Sequence, residues 1–79
     1  MLRARVKYIG CSGYRNDDRY AEIRTPIENI YTVSVILSDI GYSYDIFEDY
    51  EEAVFMVAVD DMSDYKMFMK AWKESKRTL

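Results

Sequence analysis

The sequence predicts an α+β fold, an antiparallel four-stranded sheet with two helices on one face in the chain order ββαββα. Three features lead there. Leu2, Ala4, Val6 and Tyr8 alternate with Arg3, Arg5 and Lys7, the period of a strand with one buried face and a basic row outside. Ile27, Ile30, Val33, Leu37 and Ile40 recur at three- and four-residue spacing, and so do Tyr65, Phe68, Met69 and Trp72, as amphipathic helices require. Between these stripes lies an unbroken apolar run over residues 53–59, short enough for a strand buried on both faces.

The elements follow in order. After the first strand, Gly10-Cys11-Ser12-Gly13 and Asn16-Asp17-Asp18 are turn-rich, and residues 20–24 return as a second strand. The alternative is a three-stranded βαββα arrangement with residues 10–24 as a long loop. A helix is expected over residues 26–40, with Thr25 as its N-cap, Pro26 at the first helical position and Glu28 completing a capping box. Gly41 supplies the left-handed stop. Residues 42–48 are aromatic and β-favouring, residues 49–52 form a polar turn, and residues 53–59 complete a hairpin. Asp60 or Asp61 caps a last helix whose Lys66, Lys70, Lys73 and Lys76 face water.

A chain of 79 residues has room for one core, so residues 1–79 read as a single domain. At this size only about 60% of the unfolded surface is buried, and stability is marginal. The lone cysteine, Cys11, excludes an intramolecular disulfide, and the absence of histidine removes most zinc-ligand patterns, so no cofactor or metal is expected. Neither a signal peptide nor a membrane span is legible. The expected location is therefore the cytoplasm, or the host cytoplasm if the chain is phage-encoded.

Charge is segregated. Residues 25–65 hold ten acidic residues and no Lys or Arg, although the net charge is only −3. Glu28, Asp60, Asp61 and Asp64 are explained by helix starts, which favour carboxylates. The remainder concentrate on the predicted hairpin. Tyr44, Asp45, Glu48, Asp49, Tyr50, Glu51 and Glu52 are the candidate partner-binding residues, with acids to meet Arg or Lys and tyrosines as rigid anchors.

Other chemistries fit the composition less well. Arg3, Arg5 and Lys7 form a cationic row that suits RNA phosphates, whereas a pI near 4.8 opposes direct nucleic-acid binding. The same bases can pair across strands with Glu22 or the acidic turn. Tyr8-Ile9-Gly10-Cys11-Ser12, followed by Arg15 and Arg19, resembles the second half of the signature of GIY-YIG nucleases, a resemblance that implies a tyrosine and an arginine acting at a scissile phosphate. No Gly-Ile-Tyr strand precedes it, and no counterpart of that family's metal-binding glutamate follows. Asp60, Asp61 and Asp64 lack the glycine and terminal glutamate of a calcium loop, and Cys11 has no histidine to activate it. An enzyme is not expected.

The leading functional expectation is a small acidic inhibitor or regulator that occupies a basic, nucleic-acid-binding surface of a larger protein. In size, acidity and tyrosine content the chain resembles the small early proteins that phages direct against host defence, anti-CRISPR proteins among them. Two alternatives stand beside it: an RNA-binding regulator using the Arg3, Arg5 and Lys7 face, and a homodimeric module pairing through a sheet edge or a helix surface.

Overall fold

In the computed structural model, which describes residues 3–10 and 19–77, the chain forms β1 (Arg5–Ile9), β2 (Tyr20–Pro26), a 3-10 turn (Ile27–Asn29), α1 (Ile30–Ile40), β3 (Tyr44–Asp49), β4 (Glu52–Ala58) and α2 (Met62–Arg77). All four strands join one antiparallel sheet in the order β1-β2-β4-β3, an α+β architecture. Residues 20–26 are a strand with a partner on each side, which sets the three-stranded alternative aside. Cys11, Ser12 and Arg15, singled out in the sequence, lie outside the described residues. Among the described residues, no helix is long and apolar enough to cross a membrane.

Strand alternation builds the core. Ala21, Ile23 and Thr25 of β2 and Ala53, Phe55 and Val57 of β4 point to one side and are fully buried or nearly so. The apolar members of that set form one cluster with Val33, Ile36 and Leu37 of α1 and Phe68 and Trp72 of α2. Aromatic rings extend the core: Tyr8 of β1 lies 5.2 Å from Tyr65 of α2, Tyr42 after α1 meets Phe68 of α2 edge-on at 5.0 Å, and Tyr44 lies 5.6 Å from Phe55 across the β3–β4 pair. Each fully buried large side chain contributes about 1.5–3 kcal/mol through the water it leaves. Burial, with the Asp64 charge second, pushes the Tyr42 phenol above the usual tyrosine range.

The start of α1 differs from expectation. Pro26 is extended, at φ −56° and ψ 146°, and closes β2 instead of opening the helix. A residue before proline is disfavoured in the helical region, which keeps Thr25 in the strand as well. Thr25 is buried and caps nothing: its hydroxyl donates to the Arg3 carbonyl and accepts from the Asn29 side-chain amide at 3.3 Å. Glu28 is exposed in the 3-10 turn, and neither the turn nor α1 has a side-chain cap bond. Three residues per turn over residues 27–29 also shift the apolar phase. Ile27 therefore emerges 37% exposed, and Ile36, absent from the expected stripe, is buried.

Replacing Thr25 with valine keeps the volume and removes the hydroxyl, leaving the Arg3 carbonyl and the Asn29 amide without this partner. The expected cost is about 1–3 kcal/mol. Faster amide exchange confined to β1 and the 3-10 turn, against an unchanged α2, is the signature to look for.

The remaining ends follow the chemistry of their sequences. Gly41 takes φ 81°, its N–H reaches the Ser38 carbonyl at 3.2 Å, and the Tyr42 N–H reaches that of Leu37 at 3.1 Å, a Schellman closure. That closure uses Tyr42, so β3 begins two residues later than the aromatic run suggests. Asp61 caps α2 by accepting from the Asp64 N–H at 2.9 Å, while the Asp64 carboxylate accepts from the Asp60 N–H at 2.9 Å. These two carboxylates thus serve backbone amides. Among the described residues, no group of three or more potential ligands is placed to hold a metal ion.

Candidate partner-binding surface

The acidic residues of the hairpin divide by strand parity. On β3 and β4, Asp45, Phe47, Asp49, Glu52, Val54 and Met56 share the face opposite the buried cluster, where Arg5, Lys7, Glu22 and Arg24 of β1 and β2 also lie. Glu48 stands on the other side, across from Ala53, and Tyr50 and Glu51 form the two-residue turn. The seven residues singled out in the sequence therefore occupy three places: one face, the opposite face and the tip.

Part of that acidity is neutralised from within the sheet. Arg24 reaches Glu22 at 3.1 Å, Asp49 at 3.2 Å and Glu52 at 3.7 Å, and Arg5 reaches Glu52 at 3.0 Å. The hydrogen bond to Asp49, followed by that to Glu22, raises the Arg24 pKa further, so this guanidinium is always charged. Ion pairs as open to solvent as those of Arg5 and Arg24 with Glu52 and Asp49 add little stability. Their effect is on the field: Asp49 and Glu52 carry compensated charge, whereas Asp45, Glu48 and Glu51 make no ion pair among the described residues.

The two tyrosines of the hairpin have different surroundings. Tyr44 is half-buried, with its ring against Phe55. Tyr50 is 97% exposed and held at φ 60°, the left-handed region that favours glycine. A bulky aromatic in that conformation, with its ring in solvent, has no packing reason to be there.

The cationic row is likewise split. Arg5 is engaged by Glu52, Lys7 lies across from Glu22 in register, and Arg3 is exposed with its carbonyl tied to Thr25. Tyr8, the tyrosine of the nuclease-like motif, packs against Tyr65, and Arg19 donates to the Asp60 carbonyl at 3.3 Å.

Some exposed apolar residues escaped the sequence reading. Phe47 is 53% and Ile46 40% exposed, on opposite faces of β3. Ile27, Tyr31 and Val35 step by four along one exposed side of the 3-10 turn and α1, and Tyr31 is 79% exposed. The Ile27 N–H donates to the Glu51 carbonyl at 3.2 Å, which sets this stripe beside the hairpin tip. The four-residue spacing is visible in the sequence, but the core stripe shares Ile27 with it and masks it. Neither a protein-family model, nor a curated protein, nor a solved structure matches this chain.

Proposed function

We propose that this protein is a small acidic regulator, of the inhibitor type, that binds a basic and nucleic-acid-binding surface of a larger cytoplasmic protein through the tip of the β3–β4 hairpin. The observation that carries the reading is Tyr50: fully presented to solvent, in a backbone conformation unfavourable to its type, between Asp49 and Glu51. Strain held at an exposed aromatic is a mark of functional positions. Tyrosine also supplies contact area at low entropic cost, and the uncompensated Glu48 and Glu51 nearby supply the charge that steers toward cations. In this reading both helices cover one face of the sheet and leave the hairpin tip clear. The RNA-binding alternative has less support, because Arg5 and Arg24 are already bonded to carboxylates.

The test is capture of a partner from source cells at low salt, followed by competition. The chain is expected to displace nucleic acid from the captured protein, with affinity that falls as salt rises. Glu48→Lys with Glu51→Lys should weaken binding by about tenfold or more. A captured protein that keeps its nucleic acid, or whose affinity ignores both salt and the two reversals, would overturn the proposal.

A further inference from the structure

Among the described residues the sheet ends on two edge strands of opposite charge, β1 and β3, and their backbone parity matches. The Ala58 N–H donates to the Ser43 carbonyl at 2.9 Å, so these two form a hydrogen-bonded pair of the antiparallel ladder. Alternation from that pair turns the backbone groups of Asp45, Phe47 and Asp49 toward β4 and those of Tyr44, Ile46 and Glu48 outward. The same alternation, carried across β4 and β2, turns Arg5, Lys7 and Ile9 toward β2 and leaves Ala4, Val6 and Tyr8 facing outward. The Thr25 hydroxyl bonded to the Arg3 carbonyl agrees, since it places that carbonyl on the β2 side.

We propose that the β1 edge of one copy pairs with the β3 edge of a second copy, residues 3–8 antiparallel to residues 44–49, so that the sheet continues from copy to copy. In this register Lys7 faces Asp45, Arg3 faces Asp49, Val6 faces Ile46, and Arg5 lies over Phe47. The outward backbone groups of Ala4, Val6 and Tyr8 meet those of Glu48, Ile46 and Tyr44, and each such pair exchanges both N–H···O bonds. Strand direction agrees as well. Three successive antiparallel pairings set β3 antiparallel to β1, so a copy shifted along the sheet presents β1 to β3 in the required sense. Width also agrees, because four strands about 4.8 Å apart cover roughly the breadth of two helices about 10 Å across.

Charge selects this pairing over the symmetric ones. Two β3 edges would bring together Asp45, Glu48 and Asp49 from both copies, and two β1 edges would bring together Arg3, Arg5 and Lys7. Like charges across strands destabilise, and opposite charges stabilise. The β3 edge lacks the usual defences within its own strand: it has no proline or lysine, and its register with β4 runs without a bulge. Lys7 and Asp45 make no ion pair among the described residues of their own chain and are available to each other. The contact is heterologous, so it propagates end to end unless the rotation closes a ring. An interface one strand wide is small, and the association is weak.

The inference does not depend on the regulator reading, and its readout is self-association instead of capture. Sedimentation velocity of the purified chain should show a mass that rises with concentration at low salt and falls back at high salt. Val6→Pro blocks the β1 edge, and Ile46→Pro blocks the β3 edge, in each case at an N–H that faces outward. Each variant alone is expected to be monomeric, and an equimolar mixture is expected to form a one-to-one dimer and nothing larger. If either proline variant unfolds by circular dichroism, the exposed pair Lys7→Asp and Asp45→Lys replaces it. Each reversal should weaken association about fivefold, and their combination in one chain should restore it. A monomer at every concentration, a β3–β3 dimer that survives Val6→Pro, or assembly indifferent to both reversals would overturn the proposal.

Discussion

Phe55→Ala is expected to bring the domain to the edge of unfolding. Phe55 is fully buried on the central strand β4, at the meeting of the sheet, Tyr44 and the helix cluster. Truncating a buried phenylalanine costs about 3–5 kcal/mol, a transfer loss plus a cavity the surroundings only partly fill. A domain of this length has roughly 4–12 kcal/mol in total. Urea denaturation followed by circular dichroism gives the answer, with Phe47→Ala as the internal control. Phe47 faces Val54 across the same hairpin but is 53% exposed, and its loss should stay within about 0.5 kcal/mol. A Phe55→Ala loss as small as that of Phe47 would mean that the core is not where the burial pattern puts it.

Tyr50→Gly should have two effects of opposite sign. Glycine takes φ 60° without the side-chain clash, so the hairpin gains about 1 kcal/mol and the urea midpoint rises. Partner binding should fall by about tenfold or more, as for an aromatic anchor removed from an interface. Stability gained while affinity is lost would separate a retained functional residue from an accidental turn. A destabilised variant would show that the ring supports the fold, and unchanged affinity would remove Tyr50 from the contact.

Much of the candidate surface was legible as chemistry but not as geometry. The acids of residues 44–52 form a hairpin, as their turn and strand composition implies. Their accessibility to a partner was not legible, because it depends on Arg24, twenty or more residues away in sequence, reaching Asp49 and Glu52 across strands. The apolar stripe of Ile27, Tyr31 and Val35 was hidden for a related reason: one 3-10 turn displaced Ile27 from the core phase, and no local propensity announces such a turn. Thr25 shows the same limit. Before Pro26 it has every local property of a cap, yet the hydroxyl is buried against the carbonyl of Arg3, a contact that exists only once β1 has paired with β2.

The sequence by itself determined the order of elements, because side-chain period and stop signals act within a few residues: alternation for β1, three- and four-residue stripes for α1 and α2, Gly41 and Asp61 at their ends. The tertiary structure alone decided which strands are edges. In the order β1-β2-β4-β3 the most basic strand and the most acidic one lie at opposite sides of the sheet. Strand neighbours are chosen by long-range burial of Ala21, Ile23, Phe55 and Val57 in one cluster with Val33, Leu37, Phe68 and Trp72, a term that no local pattern carries.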